Sequence, residues 1–291
     1  MTLLAAALVT GVGLGSMYGL IALGFHLTWA VSGTVNFAQG SVVMLGAVFT
    51  FMLTVTAGVP MAAAIPLAPL GCALVGLLTE RIAVRPFVER KSGAWLMATV
   101  ALGLLIDNAV LFTFGKEPRR LSSPLATDAI QILGVGVFPL QLVIPVAGLA
   151  IAAAVDQWSR RTRYGKAFRA VTQNPDAARL MGIDVKRTIA LAFALSSLLA
   201  GMAGILIAPL FNVAADMGTL FGIKAFAVAI LGGIGSAWGV VLAGFLFGVV
   251  EATITAQLGS VYTQILSFAL VIAALAARPD GLFGTAAVKK V

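Results

Sequence analysis

The first 79 residues contain no Lys, Arg, Asp or Glu, and the first charged side chain is Glu80. One buried helix in a soluble protein cannot absorb a run of that length. At about 1.5 Å of rise per residue and about 30 Å of bilayer hydrocarbon, it is enough for about three crossings. The remainder keeps the same character: of 291 residues, 60% are hydrophobic and 10% are charged. In lipid every backbone amide must be satisfied within the protein, which leaves helices or closed barrels. Apolar segments near 20 residues favour helices, so the expected fold is all-α: a polytopic membrane protein with about 8–10 transmembrane helices, some of them broken.

The opening "MTLLAAALVT" has no basic region, and its apolar run continues past the length of a signal core, so it does not read as a cleavable signal. Cys72 is the single cysteine, which excludes an intrachain disulfide, and its apolar surroundings read as core. The formal net charge of +8 could suggest nucleic acid. The charges sit in short loops beside apolar segments, however, and the positive-inside rule accounts for them.

Three basic clusters are assigned to the cytoplasm: Arg81, Arg85, Arg90 and Lys91; the stretch from Arg160 to Arg187; and Arg278, Lys289 and Lys290. The other cations, Lys116, Arg119, Arg120 and Lys224, are diluted by Glu117, Asp128 and Asp216 and are assigned to the outside. Spans are expected near 8–30, 38–57, 61–80, 95–114, 138–158, 188–209, 219–234, 238–258 and 261–278. Parity then puts the N-terminus outside and the C-terminus in the cytoplasm. There is no room for a separate soluble domain.

Two places break the threading. "SGTVNFAQGS" (32–41) sets Asn36, Gln39 and two glycines between apolar helices. Non-helical backbone at membrane depth must be received by protein or by a water-filled cavity, and broken helices of this kind commonly line transport sites. Asn36, Phe37, Gln39 and Gly40 are therefore candidates for the substrate path. The other reading is a tight turn at the membrane surface with Asn36 as a helix cap. "LGGIGSAWG" (231–239) is similar, and there a turn is preferred.

Gly11, Gly15 and Gly19, Gly235 and Gly239, and Gly244 and Gly248 recur at intervals of four. That spacing lines glycines along one helix face and allows close backbone approach, within this chain or against another. His26, Asp107 and Glu251 are ionisable residues inside or at the ends of spans. Such residues are candidates for function, although a packing role suits His26 and proximity to water would explain the two acids.

No Cys/His metal constellation, nucleophile elbow, dinucleotide glycine motif or phosphate loop is present. The chain is not expected to be an enzyme, to bind a metal or to carry a cofactor. One polar stretch stands out instead. Within "GKAFRAVTQNPDAARLMGIDVKR" (165–187), Asn174 suits a helix N-cap, Pro175 the first helical position and Asp176 the positive end of the helix. Gly182 suits the left-handed position that ends it. The result is a polar helix of about two turns, with Leu180 and Met181 at an apolar edge and Arg169 and Arg179 as charge, suited to docking.

"VNFAQGSVVMLGA" (35–47), "GKAFRAVTQNPDAARLMGIDV" (165–185), "AILGGIGSAWGVVLAGFLFG" (229–248) and "RPDGLFG" (278–284) occur in this order along nearly the whole chain. Through these stretches the chain resembles the permease subunits of branched-chain amino acid ABC importers, the LivH type. The resemblance implies a single transmembrane permease domain over 1–291, with a cytoplasmic coupling loop at 159–187. It implies a bacterial-type inner (plasma) membrane, a second related permease subunit, two cytosolic ATPase subunits that hold ATP and Mg, and an external substrate-binding protein. Arg169, Asn174, Pro175, Asp176, Arg179, Leu180, Met181 and Gly182 would then couple the permease to an ATPase. Asp107 and His26 depart from the residues expected of that family, which bears on the substrate: a branched-chain or other hydrophobic amino acid by default, with ureas, amides and other carboxylic acids also served by similar proteins. An ion-coupled secondary transporter is the alternative, and it would need Asp107 or Glu251 as its ion site.

Overall fold

The computed structural model describes residues 2–126, 128–132 and 135–284; Lys289 and Lys290 of the basic tail lie outside the described residues. The helices are α1 (Thr2–Ser32), α2 (Gln39–Phe51), α3 (Met61–Thr79), α4 (Arg85–Glu89), α5 (Trp95–Phe114) and α6 (Pro139–Arg161). They continue as α7 (Arg163–Gln173), α8 (Pro175–Leu180), α9 (Val185–Ile207), α10 (Met217–Gly232), α11 (Ala237–Leu258) and α12 (Ser260–Ala277). A small antiparallel hairpin, β1 (Ile130–Ile132) and β2 (Val135–Val137), pairs Ile130 with Val137 in the loop before α6. Among the described residues, eight helices are long and apolar enough to cross a membrane, and α10, with 16 residues, is a shorter apolar helix. All nine expected spans are thus helical, and the fold is that of an all-α polytopic membrane protein.

Two helices lengthen through π-helical turns. Met52–Thr56 extends α2, and Glu80–Val84 joins α3 to α4 so that one apolar run covers Met61–Glu89. At 29 residues this run outreaches the hydrocarbon, which takes about 20. Its last three turns carry the first charges of the chain, and there Arg85 donates from Nε and Nη2 to the two carboxylate oxygens of Glu80, at 3.0 and 2.8 Å.

The chain forms two compact units. One comprises residues up to His26, Ser123–Ala152 and Lys224 onward. Its centre is the packing of α1 on α11. A Cβ added at Gly15 would lie 2.6 Å from the Gly244 carbonyl oxygen, and one at Gly244 would lie 2.6 Å from the Gly15 carbonyl oxygen. Gly11 and Gly19 meet Val249 and Val241 in the same way. The glycine ridge therefore packs within this chain. Tyr18 on Phe247 and Phe25 on Phe226, each pair edge to face at 5.6 Å, flank the contact. Gly235 does not belong to a helical ridge: it lies in the turn after α10, with open space where a side chain would stand, while Gly239 packs on Gly232.

The other unit comprises Leu27–Ser122 and Ala153–Ile223. Here α9 packs on both α2 and α3. Gly201 lies against Gly46 of α2 and Cys72 of α3; Gly204 meets Val43, and Gly76 meets Phe193 and Ser197. Cys72 is buried, as its apolar setting indicated, with Sγ 3.8 Å from the Val42 carbonyl. By contrast α5, α6 and α12 bury little of their surface in the chain.

The Gly15–Gly244 contact predicts a mutational contrast. Gly244→Val would drive a branched side chain into the α1 backbone, which cannot rotate away, and should cost about 1–3 kcal/mol from overpacking. Thermal unfolding of the detergent-purified protein should show a lowered midpoint for Gly244→Val. Gly13→Ala, whose added Cβ would come no nearer than 3.4 Å to the Gln141 carbonyl oxygen, should stay close to the parent.

Candidate functional site

Helix α1 ends where Gly33 takes a positive φ of 63°, and residues 33–38 are non-helical. The polar side chains of this break turn inward. Asn36 and Gln39 are fully buried. Asn36 Oδ1 accepts from the Ala38 amide at 3.1 Å, and its Nδ2 donates to Gln39 Oε1 at 3.4 Å. Gln39 Nε2 donates to the Ser196 carbonyl at 3.0 Å, while the Ser196 hydroxyl donates back to Gln39 Oε1 at 3.1 Å. The break is thereby tied to the middle of α9. Gly40 packs on Gly218 and Gly222 of α10, and Phe37 is half-buried. Asn36 is not the helix cap: Ala38 takes the N-cap position of α2, without a side-chain cap bond. Sequence reasoning singled out Asn36 and Gln39 but not Ser196, whose separation of 157 residues from Gln39 leaves no local signal.

The second break is a turn, as preferred. Gly233 has φ 82°, the Ser236 amide donates to the Gly233 carbonyl at 2.8 Å, and the Ser236 hydroxyl caps α11 by accepting from Gly239. His26 Nδ1 lies 2.7 Å from the Ile234 carbonyl, the packing role its position suggested.

Lys224 requires a correction. It is not an outer-loop cation but lies within α10, where its ammonium pairs with the Glu251 carboxylate of α11. The Tyr18 ring lies 5.9 Å from the ammonium, and the Tyr18 hydroxyl bonds Glu251. Glu251 is only 6% exposed, so it does not sit at a span end in water. Two opposite charges 27 residues apart are tolerated in adjoining spans because each neutralises the other.

The polar stretch after α6 folds as a helix pair. Thr162 caps α7 by accepting from the Gly165 amide at 3.0 Å, and Phe168 and Val171 bury the inner face, with Phe168 edge-on to Trp158. Asn174 Oδ1 accepts from the Asp176 and Ala177 amides, both at 3.0 Å, and starts α8. Gly182, at φ 81°, ends it: its amide donates to the Arg179 carbonyl, and the Ile183 amide to the Ala178 carbonyl, each at 3.0 Å. These bonds form the paired Schellman closure. Leu180 and Met181 are 89% and 83% exposed, and Arg169, Pro175, Asp176 and Arg179 are exposed beside them.

Two cavities of about 380 Å³ lie in the unit built around α9. One is a cleft between the ends of α3–α4 and the start of α9, lined by Glu80, Arg85, Glu89, Lys91, Arg179 and Lys186. Lys186 Nζ and Glu89 Oε1, at 2.6 Å, bridge the two basic segments across it. The other is lined by Asp107, Asn108 and Leu111 of α5, Lys116 and Pro118 of the following loop, and Asp216 before α10. A two-residue bridge holds its rims together: Arg119 and Val213 exchange amide–carbonyl bonds at 2.9 and 2.8 Å. Arg119 also stacks 4.5 Å over the Phe114 ring and donates to the Phe114 carbonyl at 2.7 Å. Among the described residues, no group of His, Cys, Asp and Glu could hold a metal ion.

Long apolar helices broken by buried polar turns, with one exposed and capped polar helix pair, define a multi-pass membrane protein. The family model described as the permease component of the branched-chain amino acid transport system matches residues 7–275, and the chain belongs to that family. It is a permease subunit and not an enzyme. It is 32% identical to the high-affinity branched-chain amino acid transport system permease protein LivH of Salmonella typhimurium, over 97% of this chain and 96% of the relative. Identity to the corresponding BraD protein of Pseudomonas aeruginosa is 31% over 98% and 97% of the two chains. A probable LivH permease of Methanocaldococcus jannaschii is 29% identical over 91% and 88%.

The Lys224–Glu251 pair yields a second prediction. Lys224→Met alone leaves a buried carboxylate without its counter-charge and should cost about 3–5 kcal/mol. Adding Glu251→Gln should recover most of that loss. Thermal midpoints of the two single variants and the double variant measure the coupling, and equal loss in all three would refute it.

Proposed function

We propose that this chain is the transmembrane permease subunit of an ATP-driven importer of branched-chain or other hydrophobic amino acids. Family membership along nearly the whole chain carries the reading. Its partners are a second related permease, two cytosolic ATPases that bind ATP and Mg²⁺, and an external substrate-binding protein. The protein sits in a bacterial-type inner membrane with the N-terminus outside and the C-terminus in the cytoplasm. Two segments assigned to the cytoplasm on charge alone are bridged by Lys186 and Glu89, and two assigned to the outside are bridged by Arg119 and Val213, which supports this sidedness.

In this reading α7 and α8, within the coupling loop at 159–187, dock on an ATPase. Capping at Asn174 and closure at Gly182 make α8 a stiff knob, and the exposed Leu180 and Met181 supply its contact. Closure of the ATPase dimer on ATP moves the knob, and the spans switch between outward and inward access. Substrate acts only through its different affinity for the two states. Asn36, Phe37, Gln39 and Gly40 line the path at the break in α1–α2. Pairing of Glu251 with Lys224 weighs against its service as the ion site of a secondary transporter.

Two measurements test the parts. Arg179→Glu reverses charge on the docking face and touches no span. ATPase subunits should co-purify poorly with it, and ATP-dependent leucine uptake in proteoliposomes should fall in step. Normal co-purification and uptake would remove α8 from the coupling role. For the path, cysteines at Asn36, Phe37 and Gln39 should react with a water-soluble thiol reagent at rates that change when ATP is trapped on the ATPases. Constant protection in every state would place the break outside the path.

A further inference from the structure

We propose that the cavity beside the end of α5 is a recognition site for a free α-amino acid, held by both its ammonium and its carboxylate groups. The proposal rests on the importer reading above and assigns the cavity its ligand class.

Three ion pairs close other polar places at or near the spans, and the charges of this cavity have no such partner. Arg85 pairs with Glu80, Lys186 with Glu89 and Lys224 with Glu251. Asp107, Asp216 and Lys116 line one cavity, yet none of them forms an ion pair among the described residues. Asp107 is about two turns inside the end of α5 at Phe114, half-buried and hydrogen-bonded to the Ser41 side chain, and a carboxylate without a counter-charge at that depth is costly. A cavity that admits water and a charged ligand removes the cost. Asn108, exposed on the next position, adds a second polar group on the same helix. The rims do not float: the Arg119–Val213 bridge fixes the loop carrying Lys116 and Pro118 to the loop carrying Asp216.

The chemistry follows from this set. Two carboxylates and one ammonium give the site a net negative charge and poles of both signs. An α-ammonium group is attracted to Asp107 and Asp216, and an α-carboxylate to Lys116. Leu111 and Pro118 offer apolar surface to an aliphatic side chain. At about 380 Å³ the cavity is near the lower end of the range for small-ligand sites, roughly 300–1,000 Å³. Simple carboxylic acids meet more repulsion than attraction, and neutral amides or ureas leave the three charges unanswered.

The test uses the permease purified with its ATPases, carrying Asn108→Cys; the native Cys72 is buried. Modification of this cysteine by a water-soluble maleimide should be slowed by L-leucine and by isoamylamine, and not by isovalerate. Adding Asp107→Asn should raise the concentration needed for protection by both amines about tenfold, the loss expected for a hydrogen bond to a charged group. Adding Lys116→Gln should weaken protection by leucine while leaving that by isoamylamine. Asp216→Asn, in the loop, serves where Asp107→Asn fails to fold. Unchanged protection in the Asp variants, equal protection by isovalerate, or reaction only with a lipid-soluble reagent would overturn the site. ATP-driven leucine uptake by the parent, measured in parallel, keeps the two readings apart. Normal uptake without protection rejects this site alone, and absent uptake rejects the importer reading.

Discussion

Backbone amides in hydrocarbon have no water to turn to, and this governs where the chain is able to leave a helix. The break at 33–38 is received by nearby protein atoms: Asn36 Oδ1 accepts from the Ala38 amide, and Gln39 exchanges two bonds with Ser196. The turn after α10 is received by Ser236, by His26 on the Ile234 carbonyl, and by the Leu282 amide on the Leu231 carbonyl at 2.7 Å. Polar residues that look anomalous in an apolar sequence are thus, in the first instance, the partners of broken backbone. Whatever transport role the first break has is laid on top of that structural duty.

Close packing is the second constraint. Lipid tails are as apolar as leucine, so hydrophobic burial gives helices little reason to associate within the bilayer, and dispersion contacts and polar bonds must do it instead. Glycine shortens the distance over which those contacts act. Both units use the device, with α1 on α11 in one and α9 on α2 and α3 in the other. The exceptions are informative: α5 and α12 bury little, and α5 is also where a half-buried Asp107 and an exposed Asn108 stand.

What was legible in the sequence was whatever depends on neighbours along the chain. Span positions follow from runs of hydropathy, the start and stop of α8 from Asn174, Pro175 and Gly182, and the glycine ridge of α1 from a four-residue spacing. Pairings across the fold were not legible. Lys224 reads as a loop cation until Glu251, on another helix, is placed beside it. The four-residue interval between Gly235 and Gly239 suggests a helix face, but Gly235 lies before the Ser236 cap, where helical periodicity does not apply. The Asp107 cavity needs the loops after α5 and before α10 to meet, which no local rule implies.

Helix α9 gives the two parts of the proposed mechanism a physical connection. Its N-cap stands two residues after Gly182, where Asp184 Oδ1 accepts from the Arg187 amide at 3.1 Å, and the helix runs from Val185 without interruption to Ile207. Its Ser196 lies a little over three turns inward and grips Gln39 through two hydrogen bonds. Gly201 and Gly204, beyond Ser196, lock it against α2 and α3. A continuous helix is stiff along its axis, so a displacement of the α8 knob that reaches Asp184 is delivered at Gln39 with little loss. The receiving end is the non-helical break between α1 and α2, where one backbone bond, from the Gln39 amide to the Asn36 carbonyl at 3.1 Å, stands beside the side-chain bonds. In the proposed mechanism, force would be led from a capped element, along a continuous helix, to a non-helical segment held largely by side-chain bonds.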